Sequence, residues 1–180
     1  MSDPGSRLTR RAGAAGDEVT VRPARPADRD AAVALYASLH REHEALDPRY
    51  RLADDALARW ATDVRDWTRS RADAVWLAET SAGHPGSPGR AAVGLLTAHL
   101  FQPSPMFRAH TFVWVDDLYV APPLRGRGVG RRLLDAARAW GRERGAVELR
   151  AGVLAANAGA RRFWSREGAA DVSVTVAAPL

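Results

Sequence analysis

Glycine recurs at 126, 128 and 130 in the run Leu-Arg-Gly-Arg-Gly-Val-Gly-Arg-Arg, residues 124–132. Glycine frees the backbone to take positive φ and lets a ligand come close. A helix beginning at Val129 would leave its first N–H groups without internal partners, and its dipole would favour an anion there. The chemistry of this stretch is phosphate binding, with Arg125, Arg127 and Arg131 interleaved. A few residues upstream, Asp116 and Asp117 stand side by side, two carboxylates able to take a proton or hold a cation.

Those residues need a strand before the turn and a helix after it. Val113 to Val120 is dense in β-branched and aromatic residues and is ended by Pro122 and Pro123. From Val129 a helical pattern follows, with Val129, Leu133, Ala137 and Trp140 on one face and Leu134 beside them. Strand alternation sends Asp116 and Asp117 to opposite faces of the sheet.

Spacing separates the phosphate loops that fit this outline. A P-loop needs Gly-Lys-Ser/Thr, and the chain has no lysine. A dinucleotide fingerprint needs a third glycine where Arg131 stands. The form Arg/Gln-x-x-Gly-x-Gly/Ala is met by Arg125, Gly128 and Gly130. With Leu118-Tyr119-Val120 before it and Asn157, Ala160, Phe163, Trp164 and Gly168 after it, this resembles the GNAT superfamily of acyl-CoA-dependent N-acetyltransferases. The likeness is good over about residues 110–170 and extends plausibly from Val19.

The resemblance implies an α/β (α+β) fold, with a mixed, mainly antiparallel central sheet flanked by helices. A splayed parallel strand pair would hold acetyl-CoA. It implies a direct acetyl transfer to a primary amine: a small molecule, polyamine, aminoglycoside or peptide amine. Leu118, Tyr119 and Val120 would pair with the pantetheine arm. The amides of Gly126, Arg127, Gly128, Val129, Gly130 and Arg131 would hold the pyrophosphate, flanked by Arg125. Asn157 would hydrogen-bond the cofactor, with Phe163 and Trp164 beside it. Asp116 falls where relatives such as the spermidine/spermine acetyltransferases carry a proposed carboxylate base; Asp117 would attract a cationic acceptor. His43, Glu44, Asp47 and Tyr50 lie in the region expected over the acceptor. Trp164 replaces the usual Tyr, and an indole N–H has no usable acid proton. That departure keeps a catalytically silent CoA-binding regulator as an alternative, and a transferase using another acyl-CoA stands beside it.

Composition narrows the classes further. The 180 residues fit one domain, and absence of cysteine removes disulfides and thiolate sites. No apolar run is long enough for a membrane span and no signal-peptide core is present, which favours the cytoplasm. The net charge is +5. Residues 121–180 hold 11 arginines against 5 acids, and residues 1–120 hold 15 against 16. The basic part is the part with the glycine turn. A phosphate-rich cofactor explains it without nucleic acid. His40 and His43 lack a third ligand at usable spacing, so no metal is expected.

The remaining chain reads as scaffold. Residues 1–17 read as a disordered tail and 18–180 as the N-acetyltransferase-like domain. Helices are expected from Pro26 through Leu39 and from Asp54 to Trp67, and strands at Val19–Arg22, Ala74–Glu79, Ala91–Leu100 and Val147–Val153. Ser81–Gly89 reads as a mobile loop. Gln102–Ala109 leads into the central strand and would either border the acyl or acceptor site or serve as a plain connecting loop. Val172, Val174 and Val176 alternate as a final strand, whose apolar edge invites pairing with a second copy in a homodimer.

Overall fold

The computed structural model describes residues 18–81, 90–108 and 110–178. The expected tail and nearly all of the Ser81–Gly89 loop lie outside the described residues. Five strands form one sheet in chain order: β1 (Val19–Pro23), β2 (Asp73–Thr80), β3 (Ala91–Phe101), β4 (Thr111–Val120) and β5 (Ala146–Ala151). The first four pair antiparallel, and β4 pairs β5 in parallel. The helices are α1 (Arg29–Leu46), α2 (Ala56–Trp67), α3 (Val129–Arg142) and α4 (Ala158–Arg166).

The parallel pair needs a crossover, and α3 supplies it. Its stripe of Val129, Leu133, Leu134 and Ala137 is fully buried. Much of that stripe meets Trp76, Ala78, Leu96, Val113 and Val115 on one sheet face. α1 and α2 cover the other face, where Ala32, Leu35, Leu39, Trp60 and Val64 meet Leu77, Leu95 and Tyr119. Strands β2 and β3, buried on both faces, read as near-continuous apolar runs for that reason. Gly141 sets how closely α3 approaches β4: a Cβ there would sit 2.4 Å from Val113 Cγ2.

Three expectations need correction. The first helix does not stop near Leu39 but runs to Leu46. His40 to Leu46 are serviceable helix formers, and the chain leaves the helix only at Asp47, ahead of Pro48. The strand over Val172–Val176 is absent: the segment has no regular structure, and the three valines are 72%, 81% and 87% exposed. Alternation alone does not make a strand without a partner for its backbone. The third correction concerns the aspartates and belongs to the site.

Candidate active site

The β4–β5 ladder ends at Val115, opposite Ala151, whereas the β3–β4 ladder continues to Val120. Residues 116–120 therefore carry a strand on one side only. This is the splay: apart from Val120 O, which accepts from Arg125 Nε, backbone N–H and C=O groups on the β5 side are left for another occupant. Leu118 and Val120 face α3, and Tyr119 is buried under α1 and α2.

At the point where the strands part, β4 carries a bulge. Thr97 is opposite Asp117 and Ala98 is opposite Val115, so Asp116 is the extra residue. A bulge advances the side-chain phase by one. Asp116 and Asp117 consequently share a face and do not point to opposite faces. Their partners prove it: Asp117 accepts from Thr97 Oγ1 at 2.6 Å, and Asp116 Oδ2 lies 2.9 Å from His99 Nδ1. Thr97 and His99 are two residues apart on β3, on the face of Leu95 that α1 covers.

The two carboxyls differ in environment. Asp117 is 7% exposed, and burial pushes its pKa up to about 6 against the opposing Thr97 hydrogen bond. The Asp116 side chain is 34% exposed. Its pKa is also raised, mainly by burial, with His99 pulling it down and Asp73 adding to the rise. Tyr36 of α1 overlooks the pair. Burial first, then the charges of Asp117 and Asp116, push its phenol up to about 12.

The glycine turn forms as expected. Pro122–Leu124 make a short 3₁₀ turn, and Gly126 and Gly128 take φ of +76° and +78°. Gly128 is the N-cap of α3, and no side chain among the described residues caps that end. A Cβ at Gly126 or Gly128 would meet nothing within 4 Å, so the space before the helix is open. Arg127 is exposed and has no ion-pair partner among the described residues. Among the described residues Arg131 has only a long contact to Asp135, 3.9 Å. Arg125 is engaged elsewhere: Nε donates to Val120 O at 2.8 Å, an NH2 donates to Glu42 at 2.6 Å, and the guanidinium lies 5.5 Å from the Tyr119 ring centroid.

α4 closes the α3 side. The Asn157 side-chain oxygen caps it by accepting from Ala160 N at 2.9 Å. Phe163 lies against Gly130, where a Cβ would come within 3.3 Å of its ring, and Trp164 packs on the α3-side core. Arg138 ties the two helices by ion pairing with Glu167. On the opposite face, Tyr36, His40, His43 and Tyr50 form a chain of ring contacts along α1 and the turn after it. Burial lowers the pKa of both histidines, and His40 Nδ1 is buried without a partner among the described residues. Glu44 pairs with Arg51 and Asp47 with Arg49. Gln102 lies beyond β3, and this connection meets β4 at its start, the end away from the glycine turn. No group of three or more possible metal ligands occurs among the described residues.

His99, Thr97, Tyr36 and Glu42 were not singled out from sequence. They reach the site through sheet register and helix docking, and no local motif announces either.

The model of the Acetyltransferase (GNAT) family matches residues 32–169. The chain belongs to this family. The match covers both helices over the α1 face, the bulge, the glycine turn and α4. Among solved structures, a tetramutant of the BH1408 protein from Bacillus halodurans superposes with TM-score 0.72 at 20% identity, covering 89% of this chain and 99% of that one. Aminoglycoside N-acetyltransferase AAC(6')-Iy, in complex with CoA, gives 0.68 at 17% identity, with 92% and 96% covered. Glucosamine-6-phosphate N-acetyltransferase from Arabidopsis thaliana gives 0.63 at 11% identity, with 91% and 99% covered. At these identities the likeness establishes the GNAT fold. No curated protein matches. No helix among the described residues is long and apolar enough to cross a membrane.

Proposed function

We propose that this chain transfers an acetyl group from acetyl-CoA to a primary amine on a small molecule. One observation carries the reading: the bulge sets two carboxylates on one face, at the place where the backbone of β4 lies open. The residues present fit the cofactor. The open edge of Leu118–Val120 suits the pantetheine amides, and the uncapped α3 N-terminus with Gly126 to Arg131 suits the pyrophosphate. Arg127 and Arg131 supply positive charge, and Phe163 and Trp164 an apolar wall. Acetyl-CoA brings the activated thioester.

An ammonium cannot attack until it loses a proton, and its pKa in water is about 10.4. Asp116 takes that proton: it is partly exposed, and burial makes it a better base than a free carboxylate. Asp117 holds positive charge nearby, and Tyr36, His43, Glu44 and Tyr50 line the acceptor's approach. Alignment supplies much of the rate, since orienting two reactants recovers roughly 7–11 kcal/mol. Trp164 shapes the site, and the departing thiolate takes its proton from Ser165 or water.

Thiol release measured over a panel of amines tests this. Turnover should appear with cationic amines and not with alcohols. Binding of CoA without thiol release from any amine would instead favour the silent regulator, the reading that Trp164 keeps open. The exposed edge of β5 and the three exposed valines also support a homodimer. Sedimentation equilibrium at micromolar concentration should give twice the chain mass; a monomer throughout would end that proposal.

A further inference from the structure

The proton that Asp116 removes must leave, or the site works once. Asp116 is hydrogen-bonded to an imidazole, the side chain whose charge changes most readily near neutral pH. We propose that His99 is the exit for the acceptor's proton, positioned behind Asp116 and passing the charge on to solvent. This rests on the transferase reading above.

The geometry supports the route. His99 Nδ1 is 2.9 Å from Asp116 Oδ2, and the His99 side chain is 32% exposed, so one ring edge meets the carboxylate while the residue still reaches water. His99 does not sit beside the cofactor edge; β4 lies between them. It acts through Asp116. The charged groups near it are carboxylates. Asp73 is its register partner on β2, Asp116 faces it from β4, and Asp117 is next along the bulge. Tyr36 of α1, whose phenol feels the charges of Asp117, Asp116 and Asp63 of α2, covers the same face. The acceptor R–NH3⁺ gives one proton to Asp116, which passes it to His99. The freed lone pair forms the N–C bond as the C–S bond breaks. A second nitrogen proton then leaves, and one proton is returned to the thiolate through solvent. The net release is one proton per turnover.

The test uses the full chain and an amine that wild type acetylates. His99→Gln keeps an N–H donor toward Asp116 but carries no proton. Its kcat should fall, by less than the roughly 10²–10⁴-fold expected for direct loss of an acid–base group. Because His99 holds the Asp116 pKa down, the acidic limb of the rate profile should move to higher pH. His99→Ala should be slow as well and recover on addition of free imidazole. The cofactor-induced melting shift should match wild type in both, showing that each is folded and binds. Wild-type rate with an unmoved limb in His99→Gln overturns the relay. So does uniform slowing at every pH without imidazole recovery, which is the mark of lost packing. A wild type inert toward every amine overturns the transferase reading, and the relay with it.

Discussion

Asp116→Asn should lower kcat by about 10²–10⁴-fold, the range for a positioned acid–base group, and leave acetyl-CoA affinity near wild type. Asparagine keeps the shape and can still bond His99, but it accepts no proton. The sign of the pH dependence follows from the raised pKa. Activity needs the carboxylate, so the rate falls as pH drops through that pKa, and this limb should lie above the usual carboxylate range. In the variant the limb should vanish. Asp117→Asn is the comparison. Its carboxyl is buried and bonded to Thr97, so its loss should weaken binding of a cationic acceptor more than it slows turnover. Stopped assays across pH 5 to 9 decide it, and an unchanged rate and profile in Asp116→Asn would remove Asp116 as the base.

Gly128→Val should abolish the melting shift produced by acetyl-CoA. At a hundredfold excess over Kd, a ligand bound only by the folded state adds about 2.7 kcal/mol. For a domain of this size that is on the order of 5–10 °C. Gly128 sits at φ +78°, which a β-branched residue adopts only at a cost of roughly 1–2 kcal/mol. Its side chain would also stand in the open space before α3. Gly145→Val separates the two effects. Gly145 has φ +76° at the far end of α3, also in open space, so the substitution carries the same backbone strain away from the turn. Calorimetry should show both variants melting lower without ligand, and only Gly145→Val regaining the shift. A normal shift in Gly128→Val would move the pyrophosphate away from this turn.

The glycine turn was legible because its information is local. Pro122 and Pro123, the three glycines and the stripe from Val129 to Ala137 each impose a backbone preference within a few residues. The order of strands and helices was legible for the same reason. The bulge was not. A strand read alone alternates, and the extra residue exists only relative to Thr97 and Ala98 on β3. Hence the aspartates were assigned to opposite faces, and His99 went unnoticed although it touches one of them. Val172–Val176 failed in the reverse direction: a good local pattern with no neighbouring strand to pair with. Arg125 shows a third limit. Its place in the motif was plain, but Glu42 on α1, which holds it, is distant in sequence.

The bulge divides β4 into two half-strands of opposite parity. Val113 and Val115 turn odd positions toward α3, and Leu118 and Val120 turn even ones. Remove Asp116 and the two halves would join into one regular ladder against β3, with every core residue on its present face. Position 116 is thus the residue that the ladder against β3 skips. A change there escapes the penalty that repacking imposes on its neighbours. Under the transferase reading proposed above, a substitution there would alter the chemistry of the site while leaving the core in place.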